Sequence, residues 1–244
     1  MSSDYLSESD ILQMQDRIAS CRERISSAAR ECGRDEKDIT LIGVSKFFPA
    51  SHAKAAYELG LHDLGENRVQ EMIQKQDELM PMGITPNWHL IGTLQTRKVK
   101  SIIGRTYLIH SVDSMELAEE INKRSLQAGV ITPVTLQVNI SLEESKHGFT
   151  KEDLQASMDT LLSMEGLSLR GLMTMAPIET HAGDARKVFS ETKAFFDSLQ
   201  STGVDQKLWH ILSMGMSGDY ADAIREGATH IRIGTAIFGP RILQ

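Results

Sequence analysis

A chain of 244 residues with 41% hydrophobic and 24% charged content can build a sizeable core, and its length fits one α/β barrel or one large α/β domain. A net charge of -7 argues against a general nucleic-acid or membrane-surface binder, and a local patch such as Arg97-Lys98-Val99-Lys100 reads as a solvated helix face. Cys21 and Cys32 fall in one predicted helix, where their spacing puts them roughly 16 Å apart along the axis, too far to bridge. A chain without a disulfide framework suits a reducing cytoplasm.

Residues 1–10 are polar and acidic, with neither the basic start and apolar run of a signal peptide nor the Arg-rich character of a transit peptide. No stretch is apolar for long enough to span a bilayer, so the sequence reads as soluble and cytoplasmic. Ser7-Glu8-Ser9-Asp10 offers helix caps, and Ile11, Met14, Ile18, Cys21, Ile25 and Ala28 follow at helical spacing, predicting an amphipathic helix that ends near Gly33. Its apolar stripe has to pack on the outside or the bottom of the domain that follows.

From Ile39 onward short apolar runs alternate with longer helical patterns. A strand is predicted over 39–46 and a helix over 50–59, closed by Gly60. A strand over 62–65 precedes a helix over 69–79. A strand over 88–91 precedes a helix over 98–103, closed by Gly104. A strand over 107–111 precedes a helix over 115–128, closed by Gly129. A long strand over 132–140 precedes a helix over 151–163, and a strand over 167–173 precedes a helix over 184–199. A strand over 208–212, a helix over 218–225 and a strand over 230–233 complete the alternation. Eight strands alternating with helices predict a single (β/α)8 barrel domain over 1–244, with 1–35 as a leading helical segment packed on it. A doubly wound open sheet is the competitor. It would show a Gly-rich turn after the first strand, where this chain has Ser45-Lys46-Phe47-Phe48-Pro49.

The run Thr40-Leu41-Ile42-Gly43-Val44-Ser45-Lys46 has the look of a buried strand ending on a lysine. Taken alone, Lys46 fits a strand cap whose amine snorkels to water. A desolvated amine in that place would instead have a lowered pKa and could form a Schiff base with an aldehyde. In a β/α barrel the site lies where strands end and the following loops begin. The polar residues collected there include Lys46, Glu66, Asn67, His89, Ser111, Asp113, Asn139, Thr174, His210, Ser213, Ser217 and Arg232. Two segments suit a phosphate: Ser213-Met214-Gly215-Met216-Ser217-Gly218-Asp219, and Arg232-Ile233-Gly234-Thr235-Ala236. Small residues let backbone N–H groups approach an anion and hydroxyls add donors, and barrels commonly bind phosphate with the loops after strands 7 and 8. The same glycines also serve tight strand-to-helix turns. Arg232 and Gly234 point to one side of a strand, which puts a permanent cation in the barrel mouth. There is no HExxH, CxxC or GxSxG, and the histidines lack ligand spacing, so no metal site is assigned.

These segments together resemble the pyridoxal phosphate homeostasis family (YggS/PROSC), which is similar to the N-terminal barrel of alanine racemase. The resemblance runs through Val44-Ser45-Lys46, Leu64-Gly65-Glu66-Asn67-Arg68-Val69-Gln70-Glu71, Trp88-His89-Leu90-Ile91-Gly92, His110-Ser111-Val112-Asp113, Gly171-Leu172-Met173-Thr174-Met175-Ala176-Pro177, Leu212-Ser213-Met214-Gly215-Met216-Ser217 and Arg232-Ile233-Gly234-Thr235-Ala236-Ile237-Phe238-Gly239. It implies that Lys46 carries pyridoxal 5'-phosphate as an internal aldimine and that Ser213, Ser217, Gly234 and Thr235 hold the phosphate. It also implies that Arg232 faces the pyridine nitrogen and that Asn67, His89 and Met173 line the cofactor. Thr93 and Arg97 stand where proline or histidine, and asparagine, are commoner, and Phe48 stands where many members have a second lysine. That change counts against a scheme in which a neighbouring lysine unloads the cofactor, a role Lys146 could serve if its loop folds over the site.

An arginine opposite the ring nitrogen opposes its protonation and makes the ring a poor electron sink. Racemases of similar barrel type also have an arginine there, but they need in addition a second acid/base from an extra β domain of a partner subunit, and this sequence shows no such domain. The expectation is therefore a vitamin B6 carrier acting in pyridoxal phosphate homeostasis, with no catalytic residues and little or no turnover. Its expected partners are the cofactor and pyridoxal phosphate-dependent apo-enzymes, and a monomer is expected. An amino-acid racemase is the alternative, and a Schiff-base aldolase ranks third.

Overall fold

The structure, a computed structural model, describes residues 6–141, 143, 147–177 and 183–240. A leading helix α1 (Glu8–Glu31) precedes β1 (Thr40–Val44), α2 (Ala50–Glu58), β2 (Asp63–Glu66), α3 (Val69–Leu79), β3 (Asn87–Leu90), α4 (Val99–Ile102), β4 (Leu108–Val112) and α5 (Met115–Ala128). Then follow β5 (Thr132–Gln137), α6 (Lys151–Leu162), β6 (Leu167–Met173), α7 (Asp184–Ser198), β7 (Ile211–Ser213), α8 (Tyr220–Arg225), β8 (His230–Ile233) and α9 (Thr235–Phe238). The strands pair in sequence order and β8 closes on β1, giving an eight-stranded barrel of parallel strands. The alternation of strands and helices thus resolves as a barrel rather than an open sheet.

The strands read as near-continuous apolar runs because both faces are covered. On β8, Ile231 and Ile233 alternate with His230 and Arg232, and all four are buried. A barrel interior is usually filled by branched aliphatic layers. Here it holds three imidazoles, with the His89 and His110 ring centroids 5.1 Å apart and His230 6.3 Å from each.

Three strands are shorter than their sequence pattern, the first of them β1, which spans only Thr40–Val44 of the run over 39–46. The run over 132–140 ends as a strand at Gln137; Val138 N–H still donates to the Met173 carbonyl, and on its other edge the chain meets Phe149, whose N–H donates to the Gln137 carbonyl and whose carbonyl accepts from Asn139 N–H. The run over 208–212 begins pairing only at Ile211, since Trp209 N–H closes a turn onto the Asp205 carbonyl.

At the start of α1, Ser7 Oγ accepts from Asp10 N–H and Asp10 Oδ2 from Ser7 N–H, both at 3.1 Å, a reciprocal cap. The buried stripe Met14, Ile18, Cys21, Ile25 and Ala28 lies against α8, α9 and α2 on the outside of the barrel. Each large aliphatic side chain in it contributes roughly 1.5–3 kcal/mol by leaving water. Arg34 Nη1 then donates to the Ile224 and Ala228 carbonyls (2.9 and 2.8 Å), tying the end of this segment to the last βα unit. Among the described residues no helix is long and apolar enough to cross a membrane.

Candidate functional site

β1 ends at Val44 and the chain turns at once. Phe48 N–H donates to the Ser45 carbonyl (3.1 Å), which puts Lys46 and Phe47 at the centre of a tight turn. Phe47 has a φ of 70°, a left-handed conformation that a side chain disfavours and that glycine usually takes in such turns. It is held there by its N–H, which donates to Glu71 Oε2 (3.2 Å), and by the Arg68 guanidinium 5.7 Å from its ring centroid. Lys46 is half-buried at the C-terminal mouth of the barrel, its Nζ 6.0 Å from the Phe47 ring.

A buried charge cluster supports this turn from the strand–helix layer. Ser45 Oγ donates to Glu66 Oε1 (2.6 Å), and Lys75 Nζ on α3 donates to the Ser45 carbonyl (2.8 Å) and pairs closely with Glu66. Glu66 is fully buried and its Oε2 has no partner. Burial pushes the Glu66 carboxyl up, against the pull of Lys75 and Ser45. The sequence reading missed Lys75. The available signal was its place in the apolar stripe Val69, Met72, Lys75, Leu79, where a lysine needs a buried partner.

Across the barrel, Arg232 Nη1 donates to Ser213 Oγ (2.6 Å) and Nη2 to the Thr174 carbonyl (2.9 Å). Burial lowers the Arg232 pKa to about 10, which leaves it a cation at neutral pH. The loop after β7 turns sharply at Gly215, whose φ is 93° and whose added Cβ would sit 2.6 Å from the Ala223 Cβ. That turn brings Ser217 alongside the loop after β8: Thr235 Oγ1 and Ser217 Oγ are 3.5 Å apart. A Cβ on Gly234 would stand 3.4 Å from the Val44 carbonyl, so the β8 loop lies against the end of β1, beside the Lys46 turn.

Asn67 follows β2 at the mouth, where Gly92 packs so closely that a Cβ there would be 2.3 Å from the Asn67 carbonyl oxygen. Met173 ends β6, buried, its backbone paired with Gln137 and Ser213. His89 lies lower, wholly buried in the barrel interior. Its Nδ1 is 2.8 Å from His110 Nε2 and its Nε2 3.1 Å from Asp63 Oδ1. The Ser213 hydroxyl is likewise turned inward, engaged by Arg232 and by His110 Nδ1 at 2.8 Å. His210 stands exposed at the opposite end of β7, away from the mouth. Lys146 lies outside the described residues. The mouth thus collects Lys46, Asn67, Met173, Ser217, Arg232, Gly234 and Thr235, with His89 and the Ser213 hydroxyl set beneath them.

The profile of the alanine racemase N-terminal domain matches residues 34–241. The chain is 40% identical over 226 residues to the pyridoxal phosphate homeostasis protein of Aquifex aeolicus, covering 93% of this chain and 97% of that one. It resembles the solved structure of PipY from Synechococcus elongatus with PLP bound, at a TM-score of 0.80 and 34% identity over 93% of this chain and 100% of that chain. An alanine racemase of Clostridium difficile gives a TM-score of 0.72 at 22% identity over 94% of this chain and 58% of that chain, a likeness of fold alone.

Proposed function

The chain belongs to the pyridoxal phosphate homeostasis protein family, and from that premise we propose that it binds pyridoxal 5'-phosphate at the barrel mouth, covalently through Lys46, as a cytoplasmic carrier with little or no turnover. When bound, the cofactor supplies an aldehyde that condenses with an amine and a pyridine ring that can withdraw electrons. The observation that carries the reading is the convergence of complementary groups from adjacent strand ends. An amine leaves β1, two hydroxyls meet 3.5 Å apart on the loops after β7 and β8, and a guanidinium is anchored between β6 and β7.

These residues fit a phosphorylated pyridine aldehyde. Ser217 and Thr235 offer hydroxyl donors, and Gly234 leaves space for backbone to approach the phosphate. Asn67 and Met173 would line the cofactor. Arg232 would face the ring nitrogen and, as a cation fixed by Ser213 and Thr174, would oppose its protonation. A ring nitrogen kept unprotonated withdraws electrons poorly, which suits a carrier, although racemases of similar barrel type share the arginine and the turnover assay is what separates the two. Reversible attachment to an amine suits exchange of the cofactor with apo-enzymes, and we assign the carrier form to a monomer.

The test is to add the cofactor, record the visible band, reduce with borohydride and map the modified lysine by peptide mass. Racemisation of an amino-acid panel is assayed on the same preparation. The expected outcome is a label on Lys46 without turnover, and a Lys46→Ala protein that keeps its fold and loses the band. A label elsewhere would move the anchor, stereospecific turnover would establish the racemase reading, and no band at all would end the proposal.

A further inference from the structure

The barrel interior carries a line of hydrogen bonds that cofactor binding leaves unexplained. It starts at Asp63, on the base rim where β2 begins, beside a cleft of about 370 Å³ lined in part by Arg22, Lys37 and His62. Asp63 Oδ1 lies 3.1 Å from His89 Nε2, His89 Nδ1 lies 2.8 Å from His110 Nε2, and His110 Nδ1 lies 2.8 Å from Ser213 Oγ. Ser213 Oγ accepts from Arg232 Nη1 at 2.6 Å. His89, His110 and Ser213 are 0% exposed.

The two ends constrain every proton between them. A guanidinium can only donate and a carboxylate can only accept. Asp63 Oδ1 also accepts from Asn87 Nδ2 at 3.1 Å, so the carboxyl faces two donors, which favours its ionised form. With one hydrogen passed per link, Ser213 donates to His110 Nδ1, His110 Nε2–H to His89 Nδ1, and His89 Nε2–H to Asp63. Each imidazole then donates once and accepts once, which is the hydrogen count of a neutral ring. The other arrangement, a doubly protonated His89, turns His110 round and aims two donors at Ser213 Oγ. It also adds a second full positive charge to the dry interior that already holds Arg232.

We propose that Asp63, His89 and His110 are positioning residues for Arg232, holding the Ser213 hydroxyl as a fixed acceptor for the guanidinium and linking the carboxylate at the barrel base to the cation at the mouth. The proposal deepens the cofactor reading and rests on it for what Arg232 faces. The other groups around the chain are Tyr107 before β4, whose ring centroid is 5.3 Å from that of His89, His230 on β8, whose ring centroid is 6.3 Å from those of both His89 and His110, the Thr174 carbonyl after β6, Asp219 before α8 and His210 at the base of β7. A break at the base is felt at the mouth. Without Asp63 both rings are free to turn, Arg232 loses its fixed acceptor, and the site becomes more positive.

The first measurement is the 15N shifts of the histidine rings in the cofactor-free protein, wild type, Asp63→Asn and Asp63→Leu. The second is the pH titration of the visible band after adding pyridoxal phosphate to each. In the wild type both His89 and His110 should carry hydrogen on Nε2 alone. Asp63→Asn keeps that pattern, because an amide oxygen can accept the same bond. Both variants lose the carboxylate's charge and lower the pH midpoint of the band; Asp63→Leu in addition mixes the tautomers and moves the midpoint further, while Asp63→Asn keeps the tautomers, a separation that a merely structural role would not produce. Hydrogen on His110 Nδ1 in the wild type overturns the proposal, and so does an Asp63→Leu protein with unmoved tautomers and an unmoved band. The wild-type tautomers decide the matter even if Asp63→Leu does not fold. A wild type with the expected tautomers but no visible band would end the cofactor reading and leave the chain of bonds standing.

Discussion

Arg232 sets the charge that a pyridine ring in the mouth would meet. Its guanidinium is tied to the Ser213 hydroxyl and the Thr174 carbonyl, so it cannot swing away from whatever occupies the mouth. Replacing it by a carboxylate reverses the sign of the charge offered to a pyridine nitrogen, and an opposite charge at that distance shifts a pKa upward by roughly 1–3 units. Arg232→Glu is therefore expected to raise the fraction of protonated ring and to gain racemisation or transamination over the wild type, with the fold checked by circular dichroism. An unchanged spectrum and unchanged turnover in a folded variant would mean that Arg232 does not touch the ring. Lys46 carries the opposite lesson. Its turn is held by Phe47 at a φ of 70°, anchored on Glu71 and Arg68, so the amine is presented by a backbone shape as well as by its place at the strand end.

At the scale of elements, the end of β1 is fixed by a buried ion pair between β2 and α3. Lys75→Met leaves the Glu66 carboxylate buried with only Ser45 for company, and a buried charge stripped of its partner costs about 3–5 kcal/mol. Denaturant melts at neutral pH should show that loss, and Lys75→Met/Glu66→Leu should recover most of it. The loss should also shrink as pH falls, because Glu66, already pushed up by burial, then takes a proton. A Lys75→Met protein as stable as the wild type would show that the pair clamps nothing. The pair also marks where sequence reading stops. The strand–helix rhythm, the lysine ending β1 and the small-residue loops after β7 and β8 are local signals, and they place Lys46, Ser217, Gly234 and Thr235 at one end of a barrel. The partnerships Glu66–Lys75, Asp63–His89 and His110–Ser213 join different elements and leave no local signature. His110 and Ser213 are 103 positions apart, and only barrel closure brings them together. The same limit explains His89 and Ser213. Their residue type suggested the mouth, while the inward alternation of β3 and β7 turns both side chains into a polar interior. It also explains β5, whose end at Gln137 is set by a pairing with the distant Phe149.

For the molecule as a whole, a barrel filled with neutral imidazoles ties stability to pH. Burial lowers His230 to about 3, and burial together with the neighbouring positive groups holds His110 well below its ordinary value. In the unfolded chain both rings take a proton near pH 6.5. Below that pH the unfolded state binds protons that the fold refuses, so stability is fully present above about pH 6.5 and is lost as the pH falls. Each ring contributes a slope of about 1.4 kcal/mol per pH unit, and the two together about 2.7 kcal/mol per unit between roughly pH 6 and 4. Asp63, held below its ordinary value, steepens the loss further once the pH drops under the usual carboxylate range. Glu66 works the other way, since protonating it relieves a buried charge. Urea unfolding free energies measured at half-unit steps from pH 7.5 to 4 should fall as the pH drops below about 6.5, with His110 and His230 contributing and His52, also held down by burial, adding to them. His230→Gln should lower the slope by about one proton while leaving the His110 contribution. A wild-type stability that stays flat from pH 6.5 to 4.5 would show that these rings accept protons inside the fold, and the neutral polar interior would have to be abandoned.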